Sequence, residues 1–422
     1  MSELLKAAKA PSESERPLRV LQVAGTSVGG DWFHDQVNGL ARRGHVVRVV
    51  LPGPGPLGDR LRASGIEATI VPFGLTRRAR ELPQLSAAEF RLLRLIRAFR
   101  PDVIHAHLLR ATLACRVASL SHGHALRVSQ APGMPSLHTP RLQRLDRMTL
   151  FRDDVVIGSC RAIADQYQEM GARRVAVSYY GCDVHRLDPQ TSGVEFRREF
   201  GLAMGTPAIG MVAHMYPTRL RAFQQAGVKG HEVFLDAAPL ILARTPGAHM
   251  FVVGDELAGD GTYRRALEAR AAALGVAGKV HFTGHRHDIA TVLAGLDIVV
   301  NPSLEESACY TMVEALLMER GVVASNVGGL PDTVQHGSTG LLVPPADPAA
   351  LAAAVTELIA DPRQRREMGR RGRLHCLHQF DIEATVATVE NIYLQALSDL
   401  QQARFLRLRG GPADYPIGES DV

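Results

Sequence analysis

The sequence predicts an α/β protein of two doubly wound, Rossmann-like domains, and three observations carry that prediction. Short apolar runs ending in turns alternate with amphipathic stretches, the pattern of a parallel sheet covered by helices on both faces. The alternation pauses at a polar stretch, QTSGVEFRREFG (190–201), and starts again at AIGMVAH (208–214). The 422 residues exceed one ordinary core, and about 100 to 200 residues per domain gives two domains.

The first series opens with RVLQVA (19–24), a buried strand that ends at the glycine turn Ser27 to Gly30. Trp32, Val37 and Leu40 mark an amphipathic helix over 32–43, Gly44 stops it, and VVRVVLP (46–52) resumes as a strand. ATIVPF (68–73), a helix over 86–99, DVIHAH (102–107), a helix over 109–120, a strand at LRVSQAPGMP (126–135) and DVVIGS (154–159) continue it. The second series runs through HMFVVGD (249–255), KVHFTGH (279–285), LDIVVNPS (296–303), GVVASN (321–326) and GLLVPP (340–345). The expected division is a disordered tail at 1–16, one domain at 17–187, a second at 188–380, and a C-terminal helix at 381–402 that can cross back to the first. A disordered tail is expected at 403–422.

Hydrophobic residues at 46% and charged residues at 22% describe a globular chain with a large core. No run of about 18 apolar residues occurs and the opening lacks the apolar stretch of a secretory signal, so a cytoplasmic location is expected. Cys115, Cys160, Cys182, Cys309 and Cys376 stand far apart and never as C-x-x-C, which points to neither disulfides nor zinc.

Charge is uneven. Residues 1–185 hold 26 Lys/Arg and 16 Asp/Glu, a net of +10, leaving −5 for the rest of the +5 total. A basic half suits nucleic acid, an anionic membrane or a phosphorylated substrate, and an aromatic content of 5% makes nucleic acid the poorest of the three. Within EFRLLRLIRAFRP (89–101), Arg91, Arg94, Arg97 and Arg100 recur every three residues beside Leu92, Leu93, Leu95, Ile96 and Phe99. On a helix this is a basic stripe along an apolar face, and peripheral contact with the inner face of a membrane follows if the stripe meets anionic lipid.

The sharpest chemical constellation is NPSLEESACYTMVEALLME, where Glu306 and Glu314 are separated by seven residues just after a strand. The segment 310–318 reads as a helix, and its start offers free N–H groups and the positive dipole end to a diphosphate. On spacing alone the pair reads more readily as a helix cap followed by a solvated glutamate. The stretch resembles retaining nucleotide-sugar glycosyltransferases of family four, whose hallmark P-S-x-x-E-x7-E-A is matched by Pro302, Ser303, Glu306, Glu314 and Ala315. Further landmarks follow in family order: RRGH (42–45), RPDVIHAH (100–107), YYGCD (179–183), VKGHE (228–232), FVVGDE (251–256), FTGHRHD (282–288), VGGLPD (327–332) and HGSTGLLVPP (336–345). The resemblance spans about residues 18 to 395.

That resemblance implies a GT-B fold, with an acceptor-binding front domain facing a nucleotide-sugar-binding domain across a cleft. It implies a metal-independent, retaining hexosyltransferase with no cofactor and a nucleotide diphosphate sugar as co-substrate, UDP-sugar favoured over GDP- or ADP-sugar. Glu306 looks like the residue that holds donor-sugar hydroxyls, Glu314 the one that grips the ribose diol, and Lys229 the lysine of the diphosphate. Ser307, Ala308, Cys309, Tyr310 and Thr311 would present the helix start. Gly29 and Gly30 match the glycine turn, and Gly284, His285 and Arg286 the loop that reads the base. Relatives place an arginine about five residues before the lysine. Here His214 stands at that strand end, fifteen positions before Lys229, so Arg219 or Arg221 of the intervening segment, or His214, would supply the cation. Where relatives carry a histidine near the transferred sugar this chain has Gln130 or Ala131, and His105 and His107 are further acceptor-side candidates.

No G-x-G-x-x-G stands at the first turn, no Walker A motif exists, and no D-x-D occurs, which removes dinucleotide, P-loop and metal-dependent transferase readings. The acceptor class is a small molecule, a glycan or a lipid, with no nucleic acid. A GT-B epimerase or phosphorylase is the enzymatic alternative, and a noncatalytic sugar-nucleotide sensor the alternative of another class.

Overall fold

The computed structural model describes residues 16–74, 82–119, 125–131, 140–217, 226–256 and 260–408, without the side chains of 82–85, 404 and 406–408. Residues 1–15 and 409–422 of the expected tails, together with Arg219 and Arg221, lie outside these residues, whereas 403–408 are helical rather than disordered.

The first series begins β1 (Arg19–Ala24), α1 (Asp31–Arg42), β2 (Val46–Leu51), α2 (Pro56–Ala63), β3 (Ala68–Ile70) and α3 (Leu82–Phe99). It continues with β4 (Val103–His107), α4 (Leu109–Ala118), β5 (Leu126–Ala131), α5 (Pro140–Thr149), β6 (Val155–Gly158), α6 (Arg161–Glu169) and β7 (Val175–Val177). The second series opens with α7 (Val194–Glu199), β8 (Ala208–Val212), α8 (His231–Arg244), β9 (His249–Val253), α9 (Thr262–Ala273) and β10 (Val280–Gly284). Then come α10 (Ile289–Gly295), β11 (Ile298–Asn301), α11 (Tyr310–Leu317), β12 (Gly321–Ser325), α12 (Leu330–Thr333) and β13 (Leu341–Val343). The helices α13 (Pro348–Ala360), α14 (Pro362–Gln379) and α15 (Ile382–Leu408) close the chain. The last helix runs to Leu408, past the expected end at 402. The strand expected over 68–73 pairs only at 68–70, because Pro72 has no N–H for the ladder.

Seven parallel strands form the first sheet in the order β3-β2-β1-β4-β5-β6-β7, and six form the second as β10-β9-β8-β11-β12-β13. Val20 sits opposite Val47 on one side and Val103 on the other, and Ile298 opposite Ile209 and Gly321. Strand order reverses between β1 and β4 and between β8 and β11. Such reversals open a crevice beyond the carboxyl ends of the strands, where ligands of doubly wound sheets bind.

Both faces of the first sheet are covered, which explains why its strands are apolar without alternation. Leu21 and Val23 pack with Leu92, Ile96 and Phe99 of α3 and with α4, whereas Val20 packs with Val386, Val389 and Tyr393 of α15. The helix α15 thus returns to the first domain and lies along α1. Gly39 makes that approach feasible: a Cβ there would stand 2.5 Å from Val386 Cγ2. Gly39→Ala is expected to destabilise the protein by about 1–3 kcal/mol through overpacking, measured as a lowered unfolding midpoint.

Candidate active site

Where β11 ends, Asn301 accepts from the Ser303 N–H (3.0 Å) and donates to Cys309 Sγ (2.8 Å), folding 302–309 into a tight connection to α11. No side chain caps α11, so its first N–H groups face the cleft unclaimed by a cap. The Cys309 thiol is buried, which pushes its pKa up to about 12, and it is inert as a nucleophile.

Glu306 is 7% exposed and takes Lys229 Nζ at 2.5 Å on Oε2. Burial works against the Lys229 charge, yet Glu306 and the neighbouring Cys309 and Tyr216 hold its pKa above the usual lysine range. Glycines set this pair in place. Gly230, at φ 74°, follows Lys229 and passes so close to Pro302 that a Cβ would lie 2.0 Å from its carbonyl oxygen, and the Leu304 N–H donates to Val228 O (2.8 Å). Behind Glu306, the Gly329 N–H donates to its carbonyl (3.1 Å), and a Cβ on Gly328 (φ 52°) would meet that oxygen at 1.7 Å.

Glu314, one turn into α11, accepts from Arg186 Nη2 at 2.5 Å. Burial raises its carboxyl pKa, Arg186 lowers it, and Asp31 of α1 raises it again, for a net rise. Tyr310 donates to Gly181 O (3.1 Å), tying α11 to the crossover between domains. Ser307, Ala308 and Tyr310 line an open cleft of about 280 Å³ with Ser159 and Tyr180 of the first domain. Thr311 lies half-buried on the first turn of α11.

The first domain supplies the opposite wall. Gly29 and Gly30 have φ 67° and 77°, left-handed values that make them a turn, with Gly30 as the residue before α1. Gly29 O accepts from Arg60 (2.8 Å). Trp32 packs at a tilt against Tyr180 and His107, with ring centres 4.3 and 5.5 Å away. The acceptor-side expectations for His105, His107 and Gln130 need correction, since all three side chains are fully buried under the cleft. His105 Nδ1 lies 2.5 Å from the Tyr393 hydroxyl, His107 Nε2 lies 2.7 Å from Gln22 Oε1, and Gln130 donates to Ser178 O (3.3 Å). Burial pushes His105 down to about 3 and His107 well below its usual range, so both stay neutral. Inward-facing positions of a strand covered on both sides cannot reach a ligand, and strand-end position alone did not distinguish them.

His214 lies beside Lys229 in a parallel stack with His285, ring centres 5.9 Å apart. Burial, then the neighbouring His285 and Lys229, lower its pKa, which leaves it a poor cation. Gly284 turns at φ 72°, and its carbonyl accepts from the Gly254 N–H (2.9 Å). The Arg286 guanidinium is tied to Asp288 and Glu199, each at 2.8 Å, so its side chain braces the loop. Sequence reasoning missed Arg186, whose position in the crossover follows no periodic pattern. It missed Asp332 too, a buried carboxylate of α12 that accepts the Arg161 N–H (2.8 Å) at the start of α6 across the domain boundary.

The family model described as "Glycosyl transferase 4-like domain" matches residues 30–182, and "Glycosyl transferases group 1" matches residues 218–361. The D-inositol 3-phosphate glycosyltransferase of Segniliparus rotundus is 28% identical over 337 residues, 74% of this chain and 70% of that protein. The 2-deoxystreptamine N-acetyl-D-glucosaminyltransferase of Streptomyces fradiae is 30% identical over 64% of this chain and 66% of its own length. Among solved structures, Anabaena HepE in complex with UDP superposes with a TM-score of 0.75 at 22% identity, covering 90% of this chain and all of that one. The sucrose-phosphate synthase of Thermosynechococcus elongatus superposes at 0.73 and 18% identity, over 90% of this chain.

Because Glu306 rests on the Gly328–Gly329 turn, Gly328→Ala is expected to cost about 2 kcal/mol or more from the positive φ and the carbonyl clash together. Urea unfolding checks this.

Proposed function

The chain belongs to the family-four type of glycosyltransferase with a GT-B fold, and from that premise we propose a metal-independent, retaining transfer of a sugar from a nucleoside diphosphate to an acceptor hydroxyl. The observation that carries the reading is the Lys229–Glu306 pair set beside the uncapped start of α11, at the point where strand order reverses. A diphosphate laid on that helix start would meet the Lys229 ammonium and free N–H groups, which stabilise charge as it grows on the leaving group. Glu306 would hold hydroxyls of the departing sugar, and Glu314 those of the ribose. The acceptor oxygen attacks the anomeric carbon on the face from which the diphosphate leaves. One carbon–oxygen bond forms as another breaks, and the acceptor proton passes to the leaving phosphate oxygen. Protein cations and helix N–H groups do the work for which other transferases use a metal. A UDP-sugar is the first donor to test, since the structural neighbour HepE carries UDP.

The expected outcome in EDTA-treated enzyme is product of retained anomeric configuration, with Glu306→Ala and Lys229→Ala each slowing transfer more than about a hundredfold, roughly 2.7 kcal/mol in the transition state. Turnover followed by NMR of the product anomer is the measurement. Near-normal rates in both folded variants would place the chemistry elsewhere.

Acceptor delivery fits a peripheral membrane position. Among the described residues, no helix is long and apolar enough to cross a membrane. Arg91, Arg94, Arg97 and Arg100 are all exposed, none is ion-paired among the described residues, and Leu92, Ile96 and Phe99 are buried against the sheet. The helix α5, which also packs on α4, exposes Arg141, Arg144 and Arg147 together with Met148 (67% exposed), and the turn after it exposes Phe151 (53%). Cations near anionic lipid contribute about 1 kcal/mol each, reduced by salt, and the apolar side chains can insert. Co-sedimentation with phosphatidylglycerol vesicles at low salt, released at high salt, is the expected result. Equal recovery in the supernatant with and without vesicles would favour a soluble acceptor.

A further inference from the structure

Glu314 does not stand alone at the cleft. Among the described residues, the one hydrogen bond of its carboxylate is with Arg186, which occupies Oε1 and leaves Oε2 free to accept. The Arg186 side chain is itself 58% exposed, but the backbone that carries it is anchored on both sides. Val184 and Leu187 are buried in the second domain's core, the Arg186 N–H donates to Asp183 O (3.3 Å), and Arg373 of α14 donates to Leu187 O (3.3 Å). Arg186 therefore reaches Glu314 from a fixed turn in the crossover between domains, not from a mobile surface loop.

We infer that Arg186 is a positioning residue for the donor nucleoside: its guanidinium fixes the orientation and the charge of Glu314, whose remaining oxygen takes the ribose hydroxyls. The inference rests on the donor reading above, in which Glu314 serves the ribose. A carboxylate can accept from both hydroxyls of a vicinal diol, whereas a protonated carboxyl has turned one of its oxygens into a donor. The surroundings favour protonation. Burial raises the Glu314 pKa, Asp31 of α1 adds a like charge from across the cleft, and Cys182 of the crossover, held as a thiol by burial, offers no cation. Asp183 and Asp35 stand farther off, near Cys182, and are also acidic. Arg186 is the cation that opposes them. Without it the Glu314 pKa rises further, so nucleotide affinity is lost as pH falls through that raised value and regained above it.

The test is calorimetric binding of UDP, GDP and ADP to the full chain at pH 6 and pH 8, with affinities taken as the ratio of variant to wild type so that titration of the phosphates cancels. For whichever nucleotide binds, Arg186→Gln is expected to weaken affinity about tenfold at pH 6 and less than about threefold at pH 8, while Arg186→Lys stays within about threefold at both. In an E314Q background the same Arg186→Gln change is expected to show no pH dependence. A ratio for Arg186→Gln that is unity, or equally reduced at both pH values in protein with a wild-type melting profile, overturns the inference while leaving the donor reading intact. Wild-type protein that binds none of the three nucleotides overturns the donor reading, and the inference with it.

Discussion

The ion pair between half-buried Lys229 and buried Glu306 ties together the parts of the second domain that face the cleft. Taking both charges out of water costs several kcal/mol per ion, so such a pair is a poor source of stability and a good constraint on geometry. It persists because three backbone segments meet around it. The 302–309 connection brings Glu306, the turn at Gly230 brings Lys229, and the Gly328–Gly329 turn holds the Glu306 carbonyl from behind. Both segments that approach the 302–309 connection do so through a glycine, Gly230 against the Pro302 carbonyl and Gly328 against the Glu306 carbonyl, where no side chain would fit. A diphosphate arriving at α11 would therefore meet a lysine already aimed and charged.

The two domains are linked by polar contacts as specific as those within either. Asp332 of the second domain satisfies an N–H at the start of α6, and Tyr310 donates to the Gly181 carbonyl. The return of α15 adds apolar surface to the first sheet and brings Tyr393 against His105. The crossover residues 179–187 thus touch the cleft from both sides. That placement is why a residue there, Arg186, can act on a glutamate of α11.

Lys229, Glu306 and Glu314 were legible as candidates because the motifs that carry the family resemblance are local: a strand end, a glycine, a helix start. The histidines of β4 misled for a physical reason. A histidine at the carboxyl end of a strand points into the cleft or into the layer beneath it according to the pleat and to what covers the sheet, and here α15, almost 300 positions away, contributes the tyrosine that receives His105.

What the sequence determined by itself is the architecture: two runs of strand and helix, apolar strands that demand cover on both faces, and a glutamate pair after a strand. These are consequences of periodicity and turn chemistry, which are local. Only the tertiary structure decided which cation meets which carboxylate. Lys229 and Glu306 lie 77 positions apart, Arg186 and Glu314 lie 128 apart, and Arg161 and Asp332 lie 171 apart. Those pairings depend on how two sheets and a crossover pack, and the energy that selects them comes from the burial of whole helices rather than from the charged residues themselves.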